Sequence, residues 1–217
     1  MTPEEWLRLL ETHRAIAVVR SQDPDIALRM AKAMIEAGMG LIEITWNSGD
    51  AAELIESLVR HYPKCVIGTG TVLTQRDLQS AIDAGAKFAF SPHTDVDLIR
   101  SAYEQQVPMV PGALSPTEIV TAWQAGAACV KVFPIKTMGG TAYLNCLRGP
   151  LGHIPLIPTG GITIHNALDF LDAGAIAVGL SSHLFPKPLL EKENWPLITE
   201  RASAFISQMK GSRDRNL

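Results

Sequence analysis

The chain predicts a parallel (β/α)8 barrel with an extra N-terminal helix. Three observations carry that prediction: eight short apolar runs at regular intervals, helical segments between them long enough for parallel crossovers, and an Ala-Gly pair before every second run. The pair stands at Ala37-Gly38, Ala84-Gly85, Ala125-Gly126 and Ala173-Gly174. Glycine suits the left-handed position just past a helix end, so each pair marks a helix stopping and the chain re-entering the sheet. An open doubly wound sheet uses the same alternation, and eight strands do not by themselves prove closure.

Pro3 to His13 reads as the extra helix, across the bottom of the barrel. Ala15–Val19 is the first strand. Asp23-Pro24 then offers an N-cap with proline at the first helical position, ahead of Ile26-Ala27-Leu28. Leu41–Thr45 is the second strand and Val66–Gly68 the third. Thr74, with Asp77 three residues on, caps the helix running towards Ala84. Phe88–Ser91 and Val107–Val110 are the fourth and fifth strands, and Ser115-Pro116-Thr117-Glu118 opens the next helix. Cys129–Phe133, Ile154–Ile157 and Ile176–Gly179 complete the eight. The polar tail from Lys210 to Leu217 is expected to fray. No internal linker divides the chain, so residues 1–217 read as one domain.

Composition narrows the function. At 217 residues, 47% hydrophobic and 19% charged, the chain can bury a substantial core as a soluble domain. A formal net charge of -3 gives no sign of nucleic-acid binding. No apolar run approaches the roughly 18 residues of a membrane span, and the first residues carry no signal-peptide pattern. Cys65, Cys129 and Cys146 are odd in number, widely spaced and in apolar contexts. They read as reduced packing residues of a cytoplasmic protein.

In such barrels chemistry collects at the C-terminal ends of the strands. Those positions hold Arg20 after strand one, Glu43 and Thr45 on strand two, Thr69-Gly70-Thr71 after strand three and Ser91-Pro92-His93 after strand four. Lys131 lies on strand six, Pro158-Thr159-Gly160-Gly161 follow strand seven, and Ser181-Ser182 follow strand eight. Strand alternation puts Ile42 and Ile44 on one face and Glu43 on the other, and separates Lys131 from Val130 and Val132 in the same way. With the apolar faces towards the helices, Glu43 and Lys131 point inward. Lys87 lies at the wrong end of its strand, and Lys136 in a loop where solvation keeps it charged.

Burial lowers a lysine pKa, and a neutral amine is a nucleophile for a carbonyl carbon. A buried carboxylate such as Glu43 can be tuned to exchange protons. A structural Lys–Glu pair accounts for the same two residues. Gly160-Gly161 beside Ser181-Ser182 favours a phosphate site at the loops after strands seven and eight. Arg20 reads either as a guanidinium clamp on a carboxylate or as a rim salt bridge, and Thr71 as a hydroxyl donor to that carboxylate or as a turn residue. Trp46 walls the site or merely packs. No histidine pair has zinc-site spacing, so no metal is expected.

Together, Leu41-Ile42-Glu43-Ile44-Thr45, Gly68-Thr69-Gly70-Thr71-Val72, Ser91-Pro92-His93, Val130-Lys131-Val132-Phe133-Pro134 and Pro158-Thr159-Gly160-Gly161-Ile162 closely resemble the KDPG aldolase family. These are the class I 2-dehydro-3-deoxy-phosphogluconate / 4-hydroxy-2-oxoglutarate aldolases, and the resemblance runs in order from Ala15 to about Leu184. It implies a (β/α)8 barrel, usually a homotrimer, that needs no cofactor and acts on a phosphorylated 2-keto acid. It implies Lys131 as the Schiff-base lysine and Glu43 as the general acid/base. Arg20 and Thr71 match contacts to the pyruvyl carboxylate, and Gly160, Gly161 and Ser182 match contacts to phosphate. Thr159 matches a position linked to the accepted hydroxyl configuration. Where many members carry an arginine after strand two, this chain has Trp46-Asn47-Ser48. That departure means that Arg20 bears the carboxylate alone or that the substrate is held differently, and the Asn-Ser is shared with relatives acting on the galactonate-derived substrate. Those relatives generally lack threonine at the position of Thr159, which favours the gluconate-derived substrate here.

Overall fold

The computed structural model describes residues 1–213, with residues 211–213 described by backbone course alone. Parallel strands alternate with helices along the chain. The strands are β1 (Ala15–Val19), β2 (Leu41–Thr45), β3 (Val66–Gly70), β4 (Ala89–Phe90), β5 (Met109–Val110), β6 (Gly112–Ala113), β7 (Val130–Val132), β8 (Leu156–Pro158) and β9 (Val178–Leu180). The helices are α1 (Pro3–His13), α2 (Pro24–Glu36), α3 (Ala51–His61), α4 (Gln75–Asp83), α5 (Val96–Glu104) and α6 (Pro116–Gln124). They continue with α7 (Thr141–Leu151), α8 (Ala167–Asp172), α9 (Lys187–Glu191) and α10 (Trp195–Arg213). α10 runs to Arg213, and the rest of the tail expected to fray, 214–217, lies outside the described residues.

Two parallel sheets result, one ordered β5-β4-β3-β2-β1-β9 and one ordered β6-β7-β8. The expected fifth strand, Val107–Val110, pairs at Met109–Val110 as β5, and after Pro111 the chain pairs again as β6 in the other sheet. Proline has no N–H to give the ladder, so pairing breaks there. On one side Ser91 N–H donates to Val110 O at 3.3 Å; on the other Lys131 N–H donates to Pro111 O at 2.9 Å. At the far ends of the sheets, Thr159 and Gly179 form an isolated parallel bridge, and Ile176 N–H donates to Leu156 O at 3.1 Å.

The anticipated helix signals are made. Asp23 accepts from Asp25 N–H and Ile26 N–H at the start of α2, and Thr74/Asp77 and Ser115/Glu118 each close a reciprocal capping box. Gly38, Gly85, Gly126 and Gly174 all have positive φ, between 91° and 106°. At each, the glycine N–H and the N–H after it fold back on the last helical turn, as when Gly38 donates to Ile35 O and Met39 to Met34 O. Gln106 does the same work after α5 with φ 57° and no glycine.

Two cores follow from the strand alternation. Ile42, Ile44, Val130 and Val132 join the layer between sheet and helices. Leu41, Cys129, Phe88, Phe90 and Ile157 face the other way, into a separate interior cluster closed below by Trp6 and Leu10 of α1. Trp6 stacks on Phe88 with centroids 4.7 Å apart, and Phe88 meets Phe90 edge-on at 5.7 Å. Each fully buried side chain of this size contributes roughly 1.5–3 kcal/mol. α1 is therefore a plug. The cysteines divide differently from expectation: Cys129 is buried and accepts from Trp6 Nε1 at 3.3 Å, but Cys146 is exposed on α7. Its neighbours Leu144 and Leu147 take the inward face of that helix instead. Among the described residues, no helix is long and apolar enough to cross a membrane.

The glycine stops yield a stability prediction. A Cβ on Gly38 would meet no atom within 4 Å, so Gly38→Ala isolates the backbone cost of a left-handed residue. It should lose about 1–2 kcal/mol in urea unfolding, while Gln106→Gly should unfold at higher urea than the parent chain.

Candidate active site

Lys131 is held at the middle of β7, opposite Gly112 of β6 and Ile157 of β8. It is 7% exposed. Its ammonium nitrogen lies 5.9 Å from the centroid of Phe90, the top of the aromatic column, and 4.8 Å from that of Phe133. Burial is the main influence on this amine and pushes its pKa below the ordinary lysine value; the Glu43 charge opposes that shift and the Arg20 charge adds to it.

Glu43 sits on β2 between Val18 of β1 and Gly68 of β3, and is 3% exposed. Burial raises its carboxyl pKa, and the charges of Lys131 and Arg20 work against the rise. The two groups thus feel each other electrostatically. Yet among the described residues neither enters a salt bridge. The buried Lys–Glu pair weighed from sequence is a coupling at a distance, not a bonded ion pair. The Glu43 carboxyl rests directly over Gly70: a Cβ there would fall inside the carboxyl group. That close approach is what the glycine permits.

Above Lys131 opens a cavity of about 360 Å³. Its walls include Arg20, Thr71, Lys131, Thr159, Gly160 and Gly161, with Ser182 at the edge. Seven of the eight site residues named from sequence therefore surround one space, and the eighth, Glu43, is not among the residues that line it. Arg20 Nη2 donates to Thr71 Oγ1 at 3.3 Å, which ties the ends of β1 and β3 together. Thr71 has φ 60°, a left-handed conformation that a β-branched residue holds at a cost on the order of 1–3 kcal/mol. Among the described residues Thr159 Oγ1 has no hydrogen-bond partner although it is buried, and leaving such a hydroxyl unmet is unfavourable.

Phe133, Pro92, Val18, Ile162 and Ser181 also line the cavity. Alternation puts Phe133 on the Lys131 face, which was a usable signal; nothing in the sequence marks Gly70 as the seat of Glu43. Other polar residues stay out. His93 is exposed, with Nε2 4.0 Å from Asp95 Oδ2. Trp46 packs on the outer core, and Asn47 is exposed, its carbonyl accepting from Gln22 Nε2 at 2.7 Å. A larger cavity of about 520 Å³, lined by the start of α1 and the end of α5, brings together none of the predicted site residues. Among the described residues no group of three His, Cys, Asp or Glu side chains could hold a metal ion.

The chain is 30% identical over 202 residues to the KHG/KDPG aldolase of Escherichia coli, covering 93% of this chain and 95% of that protein. A crystal structure of KDPG aldolase from Legionella pneumophila, with pyruvate captured as a covalent carbinolamine, superposes with TM-score 0.85 at 29% identity, over 94% of this chain and 98% of that one. A native KDPGal structure superposes with TM-score 0.82 at 30% identity, over 92% and 96%. The family described as KDPG and KHG aldolase matches residues 7–201, and the chain belongs to that family.

Proposed function

We propose that this chain is a class I aldolase that cleaves 2-dehydro-3-deoxy-6-phosphogluconate to pyruvate and glyceraldehyde 3-phosphate. 4-Hydroxy-2-oxoglutarate, giving pyruvate and glyoxylate, is a further candidate substrate. The observation that carries the reading is the Lys131 amine, buried at the floor of the cavity, shifted towards neutrality and free of a salt bridge. In this mechanism that amine attacks the C2 ketone, and Glu43 assists loss of water from the carbinolamine. The protonated imine then draws electrons from the C3–C4 bond. Glu43, directly or through water, takes the C4 hydroxyl proton as the bond breaks. The aldehyde departs, and protonation and hydrolysis of the enamine release pyruvate.

Substrate orientation follows from the two ends of the cavity. Arg20 and Thr71 would hold the carboxylate, and the loops carrying Gly160, Gly161 and Ser182 the phosphate. Thr159 lines the cavity, and the family resemblance supports its reading a substrate hydroxyl, in keeping with the gluconate-derived epimer. The galactonate-derived epimer is the alternative that Asn47 keeps in view. The same reading takes the two sheets as one closed eightfold barrel in a single domain. Continuity through Pro111 and the Thr159–Gly179 bridge support closure.

Borohydride with pyruvate should inactivate the protein irreversibly and add one pyruvyl group at Lys131; a protein that stays active and unmodified under those conditions is no class I aldolase. Lys131→Ala should lose turnover altogether, and Glu43→Gln should slow it by about 10²–10⁴. Gly70→Ala should fold, slow turnover by displacing the Glu43 carboxyl, and still be trapped on Lys131. Arg20 holds the Lys131 pKa down, so Arg20→Gln should raise it and move the acid limb of imine formation to higher pH. An unmoved limb in stopped-flow titration would refute that coupling. The family resemblance also implies a homotrimer, and light scattering should then give three times the chain mass.

A further inference from the structure

The loop after β7 lies against the glycine pair that follows β8. Ile135 N–H donates to Thr159 O at 3.0 Å, and Lys136 N–H to Gly160 O at 3.1 Å. The Lys136 side chain then crosses Gly161: a Cβ added there would collide with Lys136 Cβ, Cδ and Cγ. Gly161 lines the cavity, so the stem of Lys136 runs along the outside of the cavity wall. Lys136 itself is exposed, and among the described residues its ammonium enters no salt bridge.

Charge shows what this arrangement can do. A phosphate monoester carries about 1.5 to 2 negative charges at neutral pH. The donors facing it from Gly160, Gly161 and Ser182 are neutral. Arg20 is engaged with Thr71 at the other end, and burial holds the Lys131 pKa down. The remaining basic groups of these loops are Lys136 and the exposed His183 beside Ser182. An ammonium on a flexible stem is a compact charge that a phosphate accepts from many directions. Its position, two bonds beyond the Cδ that covers Gly161, puts the phosphate loop within its swing.

We infer that Lys136 supplies the cationic contact to the substrate phosphate and sets the preference for phosphorylated over unphosphorylated 2-keto acids. This rests on the aldolase reading above. It makes Lys136 a specificity residue, with no part in the covalent steps on Lys131.

The test compares Lys136→Gln and His183→Gln with the parent chain on 2-dehydro-3-deoxy-6-phosphogluconate and on 4-hydroxy-2-oxoglutarate. Lys136→Gln should raise KM for the phosphorylated substrate roughly tenfold, as loss of a charge-assisted contact does. It should leave kcat, and kcat/KM for 4-hydroxy-2-oxoglutarate, within about twofold, a split that a structural role would not produce. Equal losses on both substrates, no loss on either, or the loss appearing in His183→Gln instead would overturn the inference. If the parent chain cleaves neither compound, the aldolase reading fails, and calorimetric titration with inorganic phosphate decides this one separately. Phosphate binding that weakens about tenfold in Lys136→Gln sustains it; binding that is unchanged, or absent from the parent chain, ends it.

Discussion

Everything at the mouth of this protein depends on keeping one amine dry. Lys131 stands on an apolar column of Trp6, Phe88 and Phe90, with Phe133 at its side, and little water reaches it. Ring faces and the Glu43 charge both favour the cation. Burial and the Arg20 charge oppose it, and the net direction is towards the free base. Each pKa unit of that balance corresponds to about 1.4 kcal/mol, so the helix plugging the strand bottoms has a bearing on chemistry at their tops. α1 supplies Trp6, and without it the interior column would end in solvent.

The second constraint is steric. Glu43 influences Lys131 without bonding to it because the carboxyl is seated on Gly70, where no side chain competes for the space. One residue later the chain takes a left-handed turn at Thr71, a conformation unfavourable for a β-branched residue, and Arg20 binds the hydroxyl so presented. A strained threonine touching a cavity arginine is the pattern expected where geometry serves a ligand at some expense to the fold. Close approach at Gly70 and strain at Thr71 together fix the Glu43 carboxyl, the proposed acid/base, and the proposed carboxylate end in one short turn.

Much of this was legible in the chain itself. Alternation at Leu41–Thr45 and Cys129–Phe133 was enough to send Glu43 and Lys131 away from the helix layer, and the division of the two cores follows that alternation. The Ala-Gly pairs and the capping pairs were readable because each answers a local demand of helix ends. What stayed hidden depends on distant neighbours. The chain changes sheets across Pro111 because of what must pair on either side of it, and Gly70 matters only through a carboxyl from another strand. The helix α10 buries Ile198, Ala202, Phe205, Ile206 and Met209, a helical spacing to which the sequence reading assigned no element. Cys146 shows the converse: an apolar-looking position that helix phase turns to solvent.

Asn47 gives the proposed chemistry a further consequence. It is exposed, and among the described residues Arg20 is the only arginine that lines the cavity, where one guanidinium would have two effects. In the empty site its charge helps hold the Lys131 amine neutral, the form that attacks a ketone. When the carboxylate of a 2-keto acid pairs with Arg20, that positive charge is offset, and a negative charge arrives beside the new carbon–nitrogen bond. Both changes favour a protonated imine. The substrate would therefore convert the site from one that stabilises a neutral nucleophile to one that stabilises a cationic electron sink. A second arginine would leave residual positive charge after binding and weaken that conversion. On this electrostatic argument, a lone guanidinium suits both halves of the reaction.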